Sequence, residues 1–98
     1  MSIAPTQARL LTITLRKSDT EFQIQIFANR KQLLIQKASQ QPNNQLLNSQ
    51  LLVQEKNIDN EMMNLITIQK ALETEFDSVK TLIQKNCEKE FKNFASSS

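Results

Sequence analysis

One cysteine, one short run of acids and two basic pairs are the residues with chemistry to offer. Cys87 is the only thiol. It falls in a helical stripe with Ile83 and Phe91, whereas a reactive thiolate needs a positive, partly exposed setting and a nearby base. Lys85 and Lys89 are close in sequence but lie on other faces of a helix, so a buried, apolar thiol is expected. Glu73, Glu75 and Asp77 would hold a divalent cation only if they converged. Their spacing of two scatters them around a helix, which predicts a solvated face. Arg16-Lys17 and Arg30-Lys31 suit phosphate contacts but lack an interleaved aromatic platform, and Asp19 and Glu21 dilute the first pair. Ordinary surface charge is the expectation. Histidine is absent, which removes the commonest general base and metal ligand. Glycine is absent, which removes phosphate-cradling loops. A lone cysteine assembles neither an intramolecular disulfide nor a thiolate metal centre. The expectation is therefore no catalysis, no cofactor, no metal and no small-molecule substrate.

The elements that would position these residues are helices. In 98 residues, 39 % are hydrophobic, with five Phe and no Tyr or Trp. Without Gly, the chain has few ways to reach the left-handed backbone of tight hairpin turns. Proline occurs only at Pro5 and Pro42. Ile58, Met62, Leu65, Leu72, Phe76, Val79 and Ile83, with Gln69 filling one gap, recur in steps of 4 and 3. That rhythm belongs to a helix burying one seam against another helix. Met62 and Met63 sit at its centre as adaptable filler. Earlier in the chain, Leu11, Leu15, Phe22, Ile26 and Leu33 form a second stripe, with Ser18 and Asn29 in its weak positions. Its steps of 4, 3, 4, 4, 3, 4 drift from a strict heptad, which implies a straighter helix.

A β-hairpin competes for residues 10–27. Leu11 to Leu15 and Phe22 to Ile26 both alternate with period two and are rich in β-branched residues. The intervening RKSDTE has no Gly and the flanks are good helix formers, so helix is preferred. Residues 39–44, SQQPNN, form the clear break: Pro42 cannot donate, Gln41 is pushed from α geometry, and Asn43 or Asn44 can cap the next helix.

The reading is an all-α fold: a long antiparallel helical hairpin with coiled-coil-like packing, three helices if the second breaks near Asn57 to Asn60. A flexible lead over 1–6, with Thr6 as helix cap, precedes helix 7–40. Loop 41–44, helix 45–94 and a frayed tail 95–98 complete the chain.

Formal net charge is +2, too small to imply nucleic acid. Up to Ile58 there are seven Lys and Arg against three acids, and beyond it five against seven, a split that favours packing one half on the other or on a neighbouring copy. No run of about 18 apolar residues predicts a membrane span, and the start has no visible cleavable signal. A cytoplasmic location is the default, with export without a cleaved signal as the alternative.

Two helices bury little, and polar seam positions such as Gln69 and Asn86 weaken them further. Leu46, Leu52, Met63, Ile66 and Leu82 on the flanks, and Cys87, Phe91 and Phe94 on a second helix that outruns the first, call for another surface. The expected function is a non-enzymatic structural or interaction protein that self-associates into an oligomer or filament. The alternatives are a small helical adaptor or chaperone for one protein partner, and a weakly basic nucleic-acid-associated protein using Arg9, Arg16, Lys17, Arg30 and Lys31. The residues expected at the interface are Leu11, Leu15, Phe22, Ile26, Leu33, Ile58, Met62, Leu65, Leu72, Phe76, Val79, Ile83, Cys87, Phe91 and Phe94.

Gln40–Leu47, QQPNNQLL, and Ser78–Phe94, which holds SVK and KNF, resemble the loop and tail patterns of secretion-needle subunits, which are small helical hairpins turned by a Pro/Asn-rich loop. The chain departs from that pattern in lacking a second loop proline and in its longer second helix. The resemblance implies a helical homopolymer with the C-terminal helix facing the lumen.

Overall fold

A computed structural model describes residues 3–97, in two helices, α1 (Ile3–Gln40) and α2 (Gln45–Ser97). The protein is an all-α helical hairpin. The β-hairpin alternative for residues 10–27 is not taken: α1 is continuous through them. The Thr12 hydroxyl donates to the Ala8 carbonyl at 3.1 Å and Thr14 to Leu10 at 2.8 Å, so both hydroxyls are satisfied within the helix.

Helix α1 starts earlier than expected. Of the lead foreseen over 1–6, residues 1 and 2 lie outside the described residues and the rest is helical. Pro5 is compatible with this, since first-turn N–H groups have no intrahelical acceptor and Pro lacks one anyway. Thr6 is not a cap but a buried seam residue, 1 % exposed. Helix α2 runs unbroken through Asn57–Asn60 to Ser97, so no third helix forms, and Ser98 lies outside the described residues. Within the Asn57–Asn60 stretch Asp59 takes a hydrogen bond from Lys31 at 2.8 Å.

The turn is built without any residue at positive φ among the described residues. Pro42 ends α1. The Asn44 side-chain oxygen accepts from the Leu47 amide at 3.0 Å, the geometry of an N-cap. Asn48 Nδ2 donates to the carbonyls of Gln41 at 3.4 Å and Pro42 at 3.1 Å, supplying partners that a glycine cap would otherwise provide.

The chain forms two compact units. The first joins residues up to Ser18 with residues from Lys70 onward. Its core is Ile13, Leu72 and Val79, with Leu10, Phe76 and Ile83 packed against them. Arg9 pairs with Glu75 at 3.1 Å, and the Lys17 ammonium lies 4.7 Å from the Phe76 ring centre. The second unit is Asp19–Gln69. Among its described residues Leu51 is the one buried large hydrophobe, and Thr20 is buried elsewhere along the seam. Lys31 bridges Asp59 at 2.8 Å and Glu55 at 3.9 Å, and Gln69 donates to Glu21 at 3.1 Å.

Candidate interaction surface

Burial identifies the covered side of each helix. On α2 the buried or half-buried positions Leu51, Glu55, Ile58, Met62, Leu65, Gln69, Leu72, Phe76, Val79 and Ile83 keep the seven-residue spacing read from the sequence. On α1 they are Thr6, Leu10, Ile13, Lys17, Thr20, Ile24, Phe27, Lys31, Leu34 and Ala38, again in steps of 4 and 3. This corrects the expected α1 seam. Leu11, Leu15, Phe22 and Leu33 are exposed, and Ile26 is half-buried. The physical reason is partner chemistry. Two lysines and two threonines occupy the inner row, each lysine meeting a ring or carboxylates on α2. Cation–π and charge-assisted contacts make those positions tolerable in a seam. A search for apolar stripes passes over such a row.

Lys31 shows the effect electrostatically. Its hydrogen bond to Asp59 raises its pKa above the ordinary 10.5; partial burial opposes this, and the nearby charges of Asp59 and Glu55 add to it.

Cys87 is exposed, against the expectation of a buried thiol. The seven-residue spacing continues from Ile83 through Asn86, Glu90 and Asn93, which turns Cys87 off the covered side. Phe91 and Phe94 are exposed, at 71 % and 73 %. Met63 is exposed while Met62 is half-buried, and Leu82 is half-buried. Glu75 faces Arg9 at 3.1 Å rather than joining Glu73 and Asp77.

The exposed apolar side chains are unevenly distributed. Of thirteen large ones among the described residues, nine belong to the second unit: Phe22, Leu33, Ile35, Leu46, Leu52, Val53, Met63, Ile66 and Ile68. Along the outward side of α1 in that unit, Phe22, Gln25, Ile26, Asn29, Leu33, Gln36 and Gln40 carry no charge, while Asp19 and Lys37, about five turns apart, lie together on one edge of it. Solvated helix faces are normally laced with charge. Near the turn, Leu34, Ile35, Ala38, Pro42, Leu51 and Leu52 line a groove of about 450 Å³. The Asn48 Oδ1 atom beside it is buried without a hydrogen-bond partner.

The area agrees. A compact monomer of 11.3 kDa exposes roughly 5,700 Å² by the usual scaling of surface with mass. This chain exposes 7616 Å², a surplus of about 1,900 Å². No helix among the described residues is long and apolar enough to cross a membrane. No family model matches the chain, and neither does any curated protein or solved structure.

Proposed function

We propose that this chain is a non-catalytic interaction protein that self-associates through its helices into an oligomer or filament. The surface surplus of about 1,900 Å² carries the reading. A standard interface removes about 800 Å² from each partner, so one such contact leaves more than half the surplus uncovered. Two contacts per copy, or one of the larger obligate kind, would cover it. Repeated contact between copies is what an oligomer or polymer supplies, and it is the form implied by the likeness of turn and tail to secretion-needle subunits. A nucleic-acid role is less well supported, since Arg9 and Lys31 already pair with acids and Lys17 lies on Phe76.

Sedimentation of the pure protein over a wide concentration range, with electron microscopy of the same samples, tests this. Large, concentration-dependent assemblies are expected. A species that stays monomeric throughout overturns the reading, and a monomer that gains stability only on mixing with one partner helix favours the adaptor.

A further inference from the structure

We infer that two copies of this chain pair antiparallel through the outward face of α1 in the second unit, with Phe22 against Leu33 of the other copy. The inference rests on the self-association proposed above and names the surface that performs it. Phe22, Ile26, Asn29 and Leu33 are spaced 4, 3, 4, which reads the same in both directions. A two-fold contact requires such a pattern, because residue i must meet j while j meets i. Reversing one helix about the point between Phe27 and Ala28 places Phe22 on Leu33, Ile26 on Asn29, and the symmetric pairs likewise.

Charge favours the same register. Asp19 and Lys37, about five helical turns apart, lie on the same edge of this face. Among the described residues neither makes an ion pair within the hairpin. In the antiparallel register each Asp19 arrives opposite Gln36 of the other copy, one residue from Lys37 on the same edge, so that two complementary pairs form at the rim. On α2 of this unit the exposed Leu46, Leu52, Val53, Met63, Ile66 and Ile68 follow steps of 6, 1, 10, 3 and 2, which have no such symmetry.

The test is disulfide trapping in the full chain carrying Cys87→Ser. With Phe22→Cys and Leu33→Cys together, mild oxidation is expected to give a covalent dimer on a non-reducing gel. The two positions on one helix are about 16 Å apart, too far to bridge within a chain. Phe22→Cys alone is expected to give none. Asp19→Lys and Lys37→Asp should each loosen the dimer by about fivefold or more, and the double exchange should restore it. Circular dichroism should be unchanged, since all four positions are exposed. Self-linking of Phe22→Cys alone overturns the register. Normal assembly with no linking, and no response to charge exchange, overturns the contact while leaving self-association intact. Failure of the unmodified protein to assemble overturns both.

Discussion

The two compact units spend their apolar residues differently. The unit containing both chain ends buries Ile13, Leu72 and Val79, and the outward side of its α2 segment carries Lys70, Asp77, Lys85, Glu88 and Lys92. The unit containing the turn buries Leu51, and the central outward row of its α1 segment, Phe22, Ile26, Asn29, Leu33, Gln36 and Gln40, carries no charge. One unit has an apolar core and charge along the outward side of its α2 segment, although Leu11, Leu15, Phe91 and Phe94 stay exposed on it. The other holds comparable greasy material turned outward, where it adds nothing to the hairpin. Apolar content therefore does not reveal where a core lies. What decides is which row of a helix finds chemical partners opposite it.

The sharpest way to break this contrast is at Leu72. Leu72→Ala removes a buried side chain and should lower stability by about 2–5 kcal/mol, read from urea unfolding. Leu33→Ala, on the exposed side of α1, should shift the same curve by less than about 0.5 kcal/mol in samples dilute enough to stay unassembled. If the two cost the same, the assignment of covered and uncovered rows is wrong. Next in size, Phe22→Asp should leave helicity intact but shift the assembly midpoint upward by tenfold or more in sedimentation. Phe91→Asp, at the far end of α2, should shift it less. A larger response at Phe91 would move the docking surface to the C-terminal end.

The seam of α2 was legible because apolar residues fill seven of its eight positions from Ile58 to Ile83, leaving only Gln69 to interpolate. The turn was legible because Pro42 and the adjoining Asn residues have few other uses. The seam of α1 was not legible, because Thr6, Lys17, Thr20 and Lys31 interrupt it while Leu11, Leu15, Phe22, Ile26 and Leu33 compose a more greasy row elsewhere. The missing signal was long-range: Lys17 is acceptable only because of Phe76, and Lys31 only because of Asp59 and Glu55. The absence of charge along the outward row of α1 was visible in the sequence and marks the face that the helix pair leaves over.

Smaller effects refine the picture of the turn-containing unit. Asn44→Ala removes the α2 cap and should cost about 1 kcal/mol in unfolding free energy. The Lys31 contacts should appear as a feature at high pH. A raised pKa in the folded state means that their contribution is fully present below about pH 10.5 and fades as pH climbs through the folded value. Stability should be level through neutral pH and fall in strong alkali, and Lys31→Met should lose that part of the fall. An unchanged alkaline profile in the variant would show that the bridge to Asp59 contributes nothing.

Lys31 also acts as a proofreading tooth. An antiparallel pair of striped helices can slide by one heptad and still match grease to grease. Slid one way, the ammonium would stop beside Met62 and Ile66; slid the other way, beside Asn48 and Leu52. In neither place would a carboxylate meet it. A lysine that dilutes the oily seam thus makes shifted versions of the hairpin recognisably wrong, so that one alignment is selected before any copy meets another.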